Sequence, residues 1–228
     1  MEGTVSTFDP SSVQAVLFDV DGTLRETDDE LVARIARRLG PLSKFLPGRD
    51  ATRAARRIVM RMESPANLLL AVPNALGIAR GVNATVERLV RARADARHAV
   101  VSGVAGMLQT LKGSYVLGVV SAGLDRDTRQ FLTSAGIAAD FGAVATLGTC
   151  ARTKPRADPV LWAARELGIP SERCVMVGDT TVDIRAGRAA GAQTIGVLCG
   201  FGEEAELRAA GADLIISSTA ALVDVLSC

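Results

Sequence analysis

Short, continuously apolar runs recur along the chain: Val13 to Phe18, Tyr115 to Val120, Cys174 to Val177, Gln193 to Val197 and Asp213 to Ile216. A strand with one wet face alternates apolar and polar residues, whereas a strand covered by helices on both faces does not need to. Several of these runs are of the second kind. Helical patterns lie between them, at Asp125 to Ala135, Asp158 to Leu167 and Asp183 to Ala190. Each is followed at once by a glycine, Gly136, Gly168 and Gly191 in turn, the residue that best ends a helix in the left-handed conformation. Strand and helix taking turns predicts an α/β fold, a doubly wound, Rossmann-like parallel sheet.

The alternation fails once. From about Glu26 to His98 no convincing strand appears. Helical periodicity takes its place, at Leu31, Ile35 and Leu39, then Ile58 to Met62, Leu68 to Leu76 and Val82 to Ala96. The stretch is too long for a simple connection. We read 25–100 as a small all-helical module inserted into a core formed by 1–24 and 101–228. The length of 228 residues and a hydrophobic content of 48% suffice for one sizeable core plus such an insert. Within it the segment "NLLLAVPNALGI", Asn67 to Ile78, reads as the insert's own core, with an apolar ligand or a dimer contact as the other reading.

Charge and cysteine usage exclude several classes of function. The net charge is +1, which argues against nucleic-acid and membrane-surface partners. Arginines between Arg34 and Arg97 read as the solvated faces of helices. Cys150, Cys174, Cys199 and Cys228 form no CxxC pair, and His98 is the single histidine, so no zinc knuckle or redox pair is expected. Cys174 falls in a strand and reads as a small apolar core residue. The opening "MEGTVSTFDPSS" has neither a basic nor an apolar signal region, and no apolar run is long enough to span a bilayer. A cytoplasmic protein is expected.

The chemistry gathers at the ends of the strands, where open α/β sheets bind their ligands. The first run continues as "AVLFDVDGTLRE", carrying Asp19 and Asp21 out of a buried strand. The second runs into Ser121-Ala122-Gly123. The third runs into Gly178-Asp179, with Asp183 four residues on. Lys154-Pro155 lies between those two. Carboxylates crowded on one rim repel one another and call for a cation. Hard oxygen ligands suit Mg²⁺, which commonly also binds substrate phosphate. Lys154 adds a positive charge for an anion, and the turn after Ser121 offers a hydroxyl and backbone amides. A metal, a lysine and turn amides together describe a phosphate site.

"DVDGT", a strand ending in serine, "KP" and "GDTTVD", in this order, resemble the haloacid dehalogenase superfamily, and "KPRADPVLWAARELGI" and "VMVGDTTVDIRAGRAAGA" resemble its phosphoglycolate-phosphatase-like branch. The insert has the place of that superfamily's small helical cap. The resemblance implies that Asp19 attacks phosphorus and forms an aspartyl-phosphate. It implies that Asp21 protonates the leaving alcohol and then activates water. Mg²⁺ would be held by Asp19, the backbone carbonyl of Asp21, and Asp179. Ser121, Ala122 and Lys154 would bind the phosphoryl group, with Thr23 and Asp183 in support. Asp21 is an acid that a dehalogenase does not need and a phosphate-ester enzyme does. Two positions depart from the pattern: Ala122 stands where asparagine is common, and Ala157 where proline is frequent.

The expected function is Mg²⁺-dependent hydrolysis of a small phosphorylated metabolite by a monomer or homodimer. A phosphomutase of the β-phosphoglucomutase kind is the rival among enzymes, and a non-catalytic phosphate-binding regulator the rival outside them. Ser121 has a second reading as the cap of the helix starting near Asp125, and Asp183 one as an ordinary first-turn acid.

Overall fold

Consecutive side chains of the first strand face opposite ways, and both faces are covered. Val16 and Phe18 enter one apolar cluster while Ala15 and Leu17 enter another, and all four are fully buried. This explains why the run carries no polar alternation. The computed structural model describes residues 8–26 and 99–226, together with Arg37 and Gly40. Its elements are β1 (Ala15–Phe18), α1 (Val104–Leu111), β2 (Val116–Leu124), α2 (Asp125–Ser134), β3 (Ala143–Leu147) and α3 (Asp158–Glu166), then β4 (Cys174–Gly178), α4 (Thr181–Ala189), β5 (Gln193–Val197), α5 (Glu204–Ala210), β6 (Leu214–Ile216) and α6 (Leu222–Leu226).

The six strands form one parallel sheet in the order β3-β2-β1-β4-β5-β6. The chain leaves β1 in one direction for β2 and β3, then crosses back to β4. The order therefore switches beside β1, where a doubly wound sheet opens a crevice at its carboxyl end. One face is covered by Met107, Leu108 and Leu111 of α1, Phe131 and Leu132 of α2, and Leu222 and Leu226 of α6. The other carries small residues, among them Ala163 and Ala164 of α3 and Ala186 of α4, which let those helices lie close to the sheet. Cys174 is buried in β4, and burial pushes its thiol up to about 11, as befits a packing residue.

The α/β expectation holds, and the differences are local. The glycines after α2, α3 and α4 all have positive φ, at +71°, +69° and +77°. β3 was not expected. Its sequence AVATL has little bulk, and as an edge strand it pairs only with β2, so it needs less apolar side chain than the central strands. β2 runs past Val120 to Leu124, with a register shift against β3 between those residues. The serine turn is thus a bulge at the end of the strand rather than a loop after it. Helices α1, α5 and α6 were also not anticipated.

The chain divides into two compact units, Met1–Thr27 with Ala99–Cys228, and Asp28–His98. Apart from Glu26, Arg37 and Gly40, the stretch of helical pattern over 26–98 lies outside the described residues, as do the "NLLLAVPNALGI" segment and His98. The points of departure and return are described. The Val101 amide donates to Leu24 O at 3.0 Å, the Glu26 amide donates to Ala99 O at 2.9 Å, and Arg25 bridges antiparallel to Val100.

Phe18 is fully buried and meets Phe141 edge to face, with ring centroids 6.2 Å apart. Phe18→Ala is expected to destabilise the core by about 3–5 kcal/mol, measured by urea unfolding.

Candidate active site

The β1–β4 ladder continues one residue past the strand, because the Asp19 amide donates to Val177 O at 2.9 Å. Asp19 is thereby set beside Gly178 and Asp179. Lys154 reaches the same point from the connection between β3 and α3, and its Nζ donates at 2.6 Å to both Asp19 Oδ1 and Asp183 Oδ1. Lysine and both acids are buried.

Asp183 serves two structures at once. Its Oδ2 accepts from the Thr180 amide at 3.1 Å and from Thr180 Oγ1 at 2.7 Å, completing a capping box at the start of α4. Its Oδ1 holds Lys154. Its place in the first turn of α4 and its bond to Lys154 thus use different oxygens of one carboxylate. Asp179 is fully buried, and its Oδ2 accepts from the Phe201 amide at 2.7 Å. Glycines wall it in. A Cβ at Gly22 or Gly200 would collide with the Asp179 carboxylate, and one at Gly202 with its backbone oxygen. Gly22 also has φ +83°, so other residues are doubly disfavoured there.

Asp19, Asp179 and Asp183 each offer a carboxylate oxygen, and these atoms lie within 4.8 Å of one another. One ammonium faces three buried acids. The imbalance is visible in the acid–base behaviour. Burial, opposed by Lys154 and reinforced by Asp183 and Asp21, pushes Asp19 up to about 7. The two carboxylates hold Lys154 firmly protonated against the opposing effect of burial. An all-oxygen donor set short of positive charge fits a hard divalent cation, which would take the place of the proton on Asp19.

The remaining expected residues are placed as follows. Ser121 is buried; its Oγ accepts from the Gly123 amide at 3.0 Å and lies 3.4 Å from Thr128 Oγ1. The residue at the head of α2 is Leu124, with no side-chain cap, so Ser121 braces its own turn instead of capping the helix. Ala122 is half-buried in that turn. Thr23 is fully buried; its carbonyl accepts from Thr219 Oγ1 at 2.7 Å, and its hydroxyl has no partner among the described residues. The Asp21 side chain stands apart from the acid cluster and meets Arg25, whose Nε donates to Asp21 Oδ1 at 2.6 Å.

Sequence reading missed several contributors. Thr180 lies inside the "GDTTVD" motif but was given no role there, and Thr128 is a single hydroxyl with no motif of its own. Arg25 lies just beyond the motif. The Gly200-Phe201-Gly202 loop follows β5, and its GxG spacing after a predicted strand was the available signal. Cys199 ties that loop to the first motif, with Sγ 3.4 Å from Gly22 O.

Comparison with known proteins agrees with this geometry. Residues 16–197 match the haloacid dehalogenase-like hydrolase family. "Probable phosphatase IndB" of Dickeya dadantii is 30% identical over 213 residues, 91% of each chain. A phosphoglycolate phosphatase of Xanthomonas campestris pv. campestris is 31% identical over 192 residues, covering 82% of this chain and 84% of that one. A solved HAD family hydrolase from Deinococcus radiodurans R1, with bound phosphate and sodium, superposes with a TM-score of 0.67 at 26% identity, covering 95% and 96% of the two chains. A doubly wound sheet with a lysine-bridged acid cluster at its switch point defines a hydrolase of this kind. The chain belongs to the haloacid dehalogenase-like hydrolase family.

A divalent cation at this cluster would compete with the proton on Asp19. Because that carboxyl is raised to about 7, ion binding near neutrality should release up to one proton. Calorimetric titration with MgCl₂ should find apparent affinity rising with pH up to neutrality. Below it, affinity should fall by as much as about tenfold per unit.

Proposed function

We propose that this hydrolase is a Mg²⁺-dependent phosphatase of small phosphate monoesters, working through an aspartyl-phosphate on Asp19. The observation that carries the reading is the Lys154 ammonium, held 2.6 Å from both Asp19 and Asp183 inside a buried acid cluster. A buried lysine fixed beside a nucleophile is suited to a transferring phosphoryl group, whose charge it offsets without moving. The names of the Dickeya and Xanthomonas relatives point the same way.

Asp19, Asp179 and the backbone carbonyl of Asp21 would hold Mg²⁺, which supplies Lewis-acid neutralisation and keeps nucleophile and phosphorus in line. The protein groups do the rest. Asp19 attacks phosphorus, the bond to the ester oxygen breaks, and Asp21 gives that oxygen its proton. Water then attacks the acyl phosphate, Asp21 takes its proton, and Asp19 is released with inorganic phosphate. Ser121 Oγ and the amides of its turn bind phosphoryl oxygens. Asp183 keeps Lys154 in place, and Thr180 keeps Asp183 in place. In this reading the unit 28–98 would serve as the cap, with the role of excluding water from the reaction.

Asp19→Asn is expected to lower phosphate release from p-nitrophenyl phosphate by roughly 10³-fold or more while leaving the circular dichroism spectrum unchanged. Chelation of divalent ions should abolish turnover and MgCl₂ should restore it. Wild-type turnover in either case would refute the reading.

The cap assignment has its own test. Replacing 28–98 by a short Gly-Ser linker should leave a folded core, since Glu26 and Ala99 are already hydrogen-bonded. That core should retain weak hydrolysis of p-nitrophenyl phosphate and lose activity on the best ester from a panel of phosphorylated metabolites. Full activity on that ester would overturn the assignment.

A further inference from the structure

Asp21 differs from the other acids of the site in being met by an arginine. Arg25 Nε donates to Asp21 Oδ1 at 2.6 Å, and Nη2 donates to the same oxygen. Pairs at this spacing are usually loose surface contacts, and two others among the described residues are of that type. Both side chains are more than half exposed in the Arg129–Asp125 and Arg208–Glu204 pairs. Arg25 is only 14% exposed. Its guanidinium lies 5.1 Å from the centroid of the Phe131 ring. Its backbone is tied down as well: the amide donates to Val20 O at 2.9 Å, the carbonyl accepts from the Gly22 amide at 2.8 Å, and the residue bridges to Val100. A side chain this constrained does not follow its partner; it dictates where the partner sits.

We propose that Arg25 is the positioning residue for the Asp21 carboxylate. It fixes Oδ1, which leaves Oδ2 as the oxygen that exchanges a proton with the leaving group. Arg25 touches neither substrate nor phosphorus and acts only through Asp21. Phe131 in turn holds the guanidinium from α2, the helix that follows the Ser121 turn. The inference rests on the phosphatase reading given above.

The test uses the full chain with Mg²⁺ and two esters, p-nitrophenyl phosphate and phenyl phosphate. The first expels a stable phenolate without help; the second needs its oxygen protonated. The parameter is kcat/KM, which reports the steps up to departure of the alcohol. Arg25→Leu is expected to lower it roughly 10- to 100-fold on phenyl phosphate, a share of the 10²–10⁴ that acid–base catalysis supplies, and less than about threefold on p-nitrophenyl phosphate. Arg25→Lys should recover part of the loss. In an Asp21→Asn background, Arg25→Leu should cost nothing further, because the group it positions no longer exchanges a proton.

Equal losses on both esters, or an undiminished loss in the Asp21→Asn background, would overturn the proposal. If Arg25→Leu does not fold by circular dichroism, Arg25→Lys and Arg25→Gln carry the same comparison. A wild type that hydrolyses neither ester refutes the phosphatase reading and this inference with it. A wild type that hydrolyses both, with variants that leave the ratio between esters unmoved, refutes the inference alone.

Discussion

One ammonium group shared between two carboxylates organises this protein. Lys154 Nζ bonds Asp19 and Asp183 at equal distance, in a place almost closed to water. A charge there is expensive, and each of the three makes the others tolerable. Removing one partner of a buried pair typically costs 3–5 kcal/mol, because the remaining charge is left uncompensated. The three residues arrive from separate parts of the sheet: the end of β1, the connection before α3 and the first turn of α4. The interaction therefore demands the strand order observed. Only with β4 beside β1 do Asp19 and the acids after β4 share one rim. Even with lysine in place the cluster stays short of positive charge, and Asp19 holds a proton to about 7.

Much of this could be read from the chain, for a physical reason. Central strands buried on both faces must be continuously apolar, so β1, β4 and β5 announce themselves. Carboxylates at the end of such strands are costly, which singles out Asp19, Asp21, Asp179 and Asp183 together; the structure brings Asp19, Asp179 and Asp183 within 4.8 Å of one another and turns Asp21 toward Arg25. β3 was not legible. An edge strand of alanine and threonine differs little from a loop in composition, and its identity comes from pairing with β2. The turn at Ser121 was found, but its bulged geometry depends on register with β3 and so could not be.

Residues that serve the site through geometry alone were the hardest to see. The glycines at 200 and 202 matter for the atoms they lack, since any side chain would enter the space of Asp179. Nothing in their own chemistry points to an acid about twenty residues earlier. Arg25 carries no signal of its own in the sequence, being a single basic residue after the motif. Its meaning lies in Phe131, more than a hundred positions away, which closes over it. Asp183 illustrates the opposite case. Its place in a helix's first turn and its place beside a lysine are compatible, because a carboxylate has two oxygens and the fold uses each for a different contact.

The seam at Leu24–Glu26 and Ala99–Val101 has a topological consequence. Asp19 sits on a short N-terminal piece whose strand is hydrogen-bonded on both sides, to β2 and to β4. That piece is joined covalently to the remainder only through residues 28–98. A backbone cut anywhere in that stretch would separate the chain into two fragments, one bearing Asp19 and Asp21 and the other bearing Lys154, Asp179 and Asp183. Main-chain pairing and a buried strand would still hold them together. The acid cluster is thus assembled across a boundary that covalent continuity does not have to cross, and the molecule is by construction a candidate for reconstitution from two halves.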